Sequence, residues 1–183
     1  DEDDDHGDEN GDDEHGDDDH GDEHGDEHGN LIHANYVQEN AEFDGYEFEF
    51  GRILSLGSGE LTLSFGRDVV NAKFSDGHYV PRINPSRNIY SLAYTQDDLV
   101  FRLSMKDVDK QNDFGEGETA TDGYQMLDTR LTKSFDMSGK SKLRVSLFGK
   151  NLLDEAARNH ASFVKNEVPL PGRNYGIKFN LTY

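Results

Sequence analysis

The stretch Asn174–Tyr183, NYGIKFNLTY, decides which fold the sequence predicts. Its odd-numbered side chains are all aromatic or aliphatic, whereas its even-numbered positions are polar or glycine. Successive side chains of a β-strand point to opposite faces of the sheet, so this alternation indicates a strand with one apolar and one polar face. The end of the sequence therefore predicts β-structure rather than helix.

The same period of two recurs in six earlier segments, which predicts an all-β chain. We expect strands at residues 44–56, 60–65, 88–94, 99–105, 124–135, 143–150 and 175–183. Brief turns should alternate with long polar loops, the turns at 57–59, 96–98 and 136–140 and the loops at about 75–87, 107–123 and 151–172. This pattern is typical of an antiparallel up-and-down transmembrane β-barrel, whose apolar face meets lipid and whose polar face lines the lumen. A soluble β-sandwich, with the apolar face as its core, is the alternative.

The first 30 residues, which we call the acidic arm, have a composition unlike the rest of the chain. They contain 17 acidic residues, five histidines, six glycines and two asparagines, with no lysine or arginine. No apolar side chain is present to offset the conformational entropy lost on ordering, and the like charges repel one another. We therefore expect residues 1–32 to form a disordered segment rich in His, Asp and Glu, joined to a nearly neutral β-domain over residues 33–183.

The acidic arm repeats the motif His-Gly-Asp-Glu at residues 6–9, 20–23 and 24–27. Imidazole nitrogens and carboxylate oxygens together suit Zn²⁺, and also Cu²⁺ or Ni²⁺. We predict several interchangeable weak metal sites, with ligands drawn from His6, His15, His20, His24, His28, His33, Asp22 and Asp26. A merely solubilising acidic tail is the alternative interpretation.

Composition and missing motifs argue against several other functions. The chain has no cysteine, so it has no disulfide framework, iron–sulfur cluster or thiol nucleophile. A sequence pI near 4.5 disfavours nucleic-acid binding, because phosphates would be repelled. No run of about 18 apolar residues predicts a transmembrane helix. We find no phosphate-binding glycine loop and no rigid carboxylate pair, and therefore expect neither an enzyme nor an organic cofactor.

Two linked motifs near the C-terminus carry a family resemblance. The segment Phe148–Glu155, FGKNLLDE, and the segment Pro169–Tyr175, PLPGRNY, resemble the closing signature of TonB-dependent outer-membrane receptors. In that family an Asn-Leu-(Phe/Leu)-Asp stretch ends the penultimate strand and a Pro-Gly-Arg stretch opens the last one. The terminal Tyr183 is similar to the C-terminal signal that the barrel-assembly machinery reads. The similarity runs from about Tyr36 to Tyr183, and the histidine-rich arm makes the zinc-uptake branch the nearest match.

The resemblance implies a fold, a function and partners. Residues 33–183 would be about seven C-terminal strands of a 22-stranded barrel, with the remaining strands and the plug outside this sequence. The implied function is TonB-dependent uptake of a metal, zinc first, with outer-membrane lipid, the rest of the receptor, TonB acting through the plug, and the barrel-assembly machinery as partners. Ferric-siderophore and haem receptors share the same C-terminal motifs, so those ligands remain alternatives.

Topology then predicts where the loops lie. If Tyr183 ends at the periplasmic side, seven strands counted backwards place residues 1–32 in the extracellular medium, outside a bacterial outer membrane. His78 and His160 fall in loops on that same side, and whether they bind metal is left open. Arg173 is expected to have a structural role at the entry to the last strand.

Basic residues on the polar side of the strands are expected to be ordinary charges of a wet barrel interior, not substrate contacts. Some are expected to pair with Glu47, Glu49 or Asp128, or with the plug. The residues concerned are Arg102, Arg130, Lys142, Arg144 and Lys178.

Overall fold

The computed structural model describes residues 38–183, which form one antiparallel sheet whose seven strands are adjacent in sequence order. The strands are β1 (Ala41–Leu56), β2 (Gly59–Phe74), β3 (Arg87–Gln96), β4 (Leu99–Val108), β5 (Tyr124–Asp136), β6 (Lys142–Lys150) and β7 (Asn174–Thr182). The predicted all-β, up-and-down arrangement is therefore confirmed for this part of the chain. Within it, no helix has the length and apolar character needed to cross a membrane.

All seven predicted strands are present, and the largest error concerns β2. The sequence predicts a strand at 60–65, whereas β2 continues to Phe74. The apolar alternation ends after Phe65 because Arg67 and Asn71 follow on the same face. These polar side chains form hydrogen bonds with β1. Arg67 Nε donates to Tyr46 Oη at 3.1 Å, and Asn71 Nδ2 donates to Asp44 Oδ2 at 3.0 Å. Cross-strand polar pairs therefore continue the strand where apolar periodicity ends.

The strand register aligns apolar side chains into rows that cross the whole sheet. One row contains a residue from every strand: Leu54, Leu61, Tyr94, Phe101, Leu131, Leu147 and Ile177. A parallel row brings the Phe65 and Tyr90 rings to a centroid distance of 5.1 Å. We call this side of the sheet the apolar face. The other side, which carries Glu47, Arg102, Arg130 and Lys178, is the polar face.

No second layer of the described residues covers the apolar face. Phe48 is 52% exposed, Tyr90 46% and Phe179 63%. Among the described hydrophobic side chains, only those of Ala72, Val108 and Ala157 are buried. The two-sheet sandwich alternative is therefore not what these residues form.

The antiparallel order separates two ends of the sheet. Residues 57–58, 97–98 and 137–141 make short turns at one end, which we call the turn end. The segments 75–86, 109–123 and 151–173 lie at the opposite, loop end, as the sequence predicts. The chain enters β1 at the loop end, where Ser75 N donates to the Asn40 carbonyl at 3.0 Å.

The two C-terminal motifs bond to each other across the last loop. Asn151, 1% exposed and at a positive φ of 48°, is the centre of this junction. Its Nδ2 donates to the carbonyls of Glu155 (2.9 Å) and Pro171 (3.1 Å), and its Oδ1 accepts from Glu155 N at 3.0 Å. Asp154 accepts from the Arg173 backbone at 2.9 Å and from its guanidinium at 3.2 Å. The junction brings the chain back to the edge of β6, so the expected structural role of Arg173 is confirmed.

Replacing Asn151 by glycine should destabilise the protein by about 2–4 kcal/mol, because three partly buried backbone groups lose their hydrogen-bond partner. Glycine tolerates the positive φ, so the substitution removes the hydrogen bonds without adding backbone strain. The measurement is the free energy of unfolding in urea, determined for wild type and variants under identical conditions. Asn180→Ala, an exposed change on the polar face of β7, is the control and should cost less than about 0.5 kcal/mol. Equal stability of the two variants would contradict this account of the junction.

Candidate functional site

The eight predicted metal ligands all lie outside the described residues. His6, His15, His20, His24, His28, His33, Asp22 and Asp26 precede residue 38, and their role as ligands stays a prediction. Among residues 38–183, no group of three or more His, Asp or Glu side chains is placed to hold a metal ion.

His78 belongs to a local turn in the loop 75–86. Its backbone N–H donates to Asp76 Oδ1 at 2.9 Å, and its Nδ1 lies 2.6 Å from Asp76 Oδ2. This hydrogen bond raises the pKa of His78 above its usual value. The two hydrogen bonds to His78, that from the backbone first, lower the pKa of Asp76. His78 is exposed and forms a pair with one carboxylate, which is a capping interaction rather than a metal-binding set.

His160 instead lies in a buried polar cluster between loops 109–123 and 151–173. It is 1% exposed, and its Nδ1 lies 2.9 Å from Thr121 Oγ1 and 3.5 Å from Lys165 Nζ. An ammonium group can only donate, so Nδ1 accepts and the ring proton of the neutral imidazole is placed on Nε2. That Nε2 has no hydrogen-bond partner among the described residues. The Glu118 Oε2 atom lies 3.9 Å from it.

Glu118 joins three loops through this cluster. Its carboxylate accepts from the backbone N–H groups of Arg82 at 2.9 Å and Gly115 at 3.2 Å. Its Oε1 also lies 3.6 Å from Lys165 Nζ. Burial acts to raise the pKa of Glu118, but the two backbone donors and the Lys165 charge outweigh it, so the net shift is downward. The carboxylate therefore stays ionised and bonded near neutral pH.

The same surroundings keep His160 neutral. Burial lowers the pKa of His160, the Lys165 charge lowers it further, and Glu118 only partly offsets the two. An ammonium group this close also opposes a metal cation, so the cluster is suited to fastening loops together rather than to metal binding. Glu118 and Lys165 could not be predicted from the sequence, because loop residues have no periodicity and their partners are distant in the chain.

A cavity of about 330 Å³ lies beside this cluster, at the loop end of the polar face. Its wall includes Arg87, Lys106, Tyr124 and His160. Arg87 is held by Asp68, with Nε to Oδ1 at 2.9 Å and Nη2 to Oδ2 at 2.7 Å. The strand side chains of this wall all project from the polar face, so the cavity opens on that side of the sheet.

The charges of the polar face pair differently from the sequence expectation. Lys142 lies 3.4 Å from Asp98 and 3.6 Å from Asp136, and Lys150 lies 2.6 Å from Asp128. Arg102, Arg130, Arg144 and Lys178 have no carboxylate within 4.0 Å among the described residues. The expected pairs with Glu47, Glu49 or Asp128 are therefore not formed within these residues, where Asp128 binds Lys150 of the neighbouring strand, and pairing with the plug stays a prediction.

Comparison with known proteins does not assign a family. No model of a known protein family matches the chain, and a search of curated proteins found no matching sequence.

Acidification should loosen the contact between loops 109–123 and 151–173. The pKa of His160 is lower in the folded than in the unfolded protein, so its contribution to stability is complete above about pH 6.5 and is lost as the pH falls through the folded pKa. Hydrogen exchange of the paired Gln111 and Thr121 amides measures this. We expect their protection, corrected for intrinsic exchange, to fall between pH 7.5 and 5.5, by at most about tenfold per pH unit.

Two histidine variants serve as controls for this prediction. His160→Gln cannot gain a charge, so its protection should be the same at both pH values. His78→Gln should lose protection as the wild type does, since the pKa of His78 is shifted in the opposite direction. A wild-type protein whose protection does not change with pH would contradict the role given to His160.

Proposed function

We propose that the chain supplies C-terminal strands of an outer-membrane receptor for TonB-dependent uptake of a metal. Zinc is the proposed ligand, with Cu²⁺ and Ni²⁺ as chemical alternatives. The acidic arm captures the ion outside the cell and passes it by ligand exchange towards the lumen. Transport itself needs the plug and TonB, which act together with the rest of the barrel. No catalytic role is proposed.

The apolar face is the observation that supports this proposal most. Its aromatic and aliphatic side chains are present on every strand and are exposed or half-exposed, with Tyr175 at 71% and Leu181 at 58%. Soluble monomers rarely expose apolar patches larger than a few hundred Å². A hydrocarbon environment removes this cost, since lipid-facing and lumen-facing residues alternate along the strands of outer-membrane barrels.

The polar face and the loops fit the same interpretation. Charged and hydroxyl side chains opposite the apolar face suit a wet lumen. The long segments all lie at the loop end, which would face the medium, and the turns at the opposite end would face the periplasm. Because the chain enters β1 at the loop end, the acidic arm would be connected on the external side. The Asn151–Arg173 junction gives the two family motifs a common structural purpose.

The choice of zinc rests on the composition of the arm alone. Five histidines at short spacing among carboxylates favour a transition metal over Ca²⁺ or Mg²⁺. A siderophore or haem receptor would share the strands and the C-terminal motifs. Binding of an iron chelate, but not of zinc, to the whole receptor would favour that alternative.

Removal of residues 1–30 from the receptor should slow zinc uptake at low external zinc and leave the maximal rate unchanged. The reason is that the arm raises the local concentration of the ion without taking part in later steps. Uptake of radioactive zinc by cells over a range of zinc concentrations measures both quantities.

A variant with His6, His15, His20, His24 and His28 all changed to Asn keeps the 17 acidic residues of the arm. It should behave like the deletion if imidazole ligation matters, and like the wild type if charge alone attracts the ion. Equal uptake by the wild type and the deletion at every zinc concentration would overturn the capture role.

A further inference from the structure

Two arginines face each other on the polar face without a counter-charge. Arg102 of β4 and Arg130 of β5 are directly opposite in the strand register, and both are exposed. Among the described residues, neither has a carboxylate within 4.0 Å. Like charges directly opposite on neighbouring strands destabilise a sheet. This pair therefore carries a cost that an anion would relieve.

Two nearby carboxylates, Asp128 and Asp98, are engaged by lysines, and Asp97, which lines a cavity with both arginines, lies more than 4.0 Å from their guanidinium nitrogens. Asp128 binds Lys150 Nζ at 2.6 Å and the Asn151 backbone at 2.9 Å. Asp98 lies 3.4 Å from Lys142 Nζ. The positive potential of Arg102 and Arg130 is reinforced by Arg144 of β6, which lines a cavity of the polar face together with them.

The arginine pair also separates two concavities of the sheet. A cavity of about 470 Å³ lies towards the turn end and one of about 230 Å³ on the other side, and both are lined by Arg102 and Arg130. The hydroxyl groups of Thr132 and Ser146, whose oxygens lie 2.9 Å apart, line the larger cavity together with both arginines. Arg130 also lies over the Phe148 ring, 5.9 Å from its centroid, which restricts its orientation. The polar face therefore has a cavity lined by two guanidinium groups and by hydroxyl groups.

We propose that Arg102 and Arg130 form a binding site for a small ligand with at least two oxyanion groups, carboxylates or phosphates. A guanidinium group donates two parallel hydrogen bonds to one such group, so two guanidinium groups recognise two of them. The adjacent hydroxyls donate to the remaining oxygens. The site is independent of zinc capture, since it uses only described strand residues and would exist in a receptor for any ligand.

The test is calorimetric titration of the whole receptor in detergent with citrate, with pyrophosphate and with acetate. Citrate or pyrophosphate should bind at least tenfold more tightly than acetate, which offers a single carboxylate, and the tighter of the two identifies the preferred oxyanion. Arg102→Gln and Arg130→Gln should each weaken that binding by about tenfold or more, since each removes a charge-assisted pair of hydrogen bonds. Arg130→Lys should recover only part of the affinity, because it restores the charge without the planar fork.

Arg52→Gln is the matched control, because it removes one arginine from β1 on the opposite face of the same sheet. It should bind as the wild type does. The proposal is overturned if neither citrate nor pyrophosphate binds the wild type more tightly than acetate, if the Arg102 and Arg130 variants bind as the wild type does, or if Arg52→Gln loses as much affinity as they do.

Discussion

The whole structure depends on how the apolar face of the sheet is removed from water. Fully burying one large apolar side chain contributes roughly 1.5–3 kcal/mol, and every strand presents several of them on this face. The register aligns them into continuous rows, such as the one from Leu54 to Ile177, so they form one surface rather than scattered exposures. A sheet with this surface needs an apolar environment. The proposed placement in lipid follows from that requirement, whereas the proposed ligand follows from the acidic arm.

The same lipid environment also sets a requirement for the edges of the sheet. β1 and β7 are each paired on one side only within the described sheet. In hydrocarbon each unpaired backbone group costs several kcal/mol, so a lipid-facing sheet of this kind requires neighbouring strands on both edges.

The tightly packed side chains lie at the loop end of the described sheet. There Asn151 fixes the return to β7, and Glu118 with Lys165 and His160 joins the loops above the polar face.

The strands could be predicted from the sequence because apolar and polar residues alternate along a strand that has one apolar and one polar face. The prediction was too short at β2 because Arg67 and Asn71 interrupt that period while bonding to β1. The contacts of Glu118 and Asn151 could not be predicted, since they join residues that are distant in the chain through loop conformations without a repeating pattern. The absence of a carboxylate close to Arg102 and Arg130 could not be predicted either, because it depends on the strand register, which the sequence pattern does not specify.

Site-directed spin labelling tests the central claim most directly, and residues 1–183 contain no cysteine that would compete for the label. Labels at Phe179→Cys and Lys178→Cys would report on the two faces of β7 in lipid vesicles. The account predicts that the label at 179 collides mainly with oxygen, which concentrates in hydrocarbon, and that the label at 178 collides mainly with a water-soluble nickel chelate. Equal access of the chelate to both labels would contradict the account, because the apolar face would then be in water.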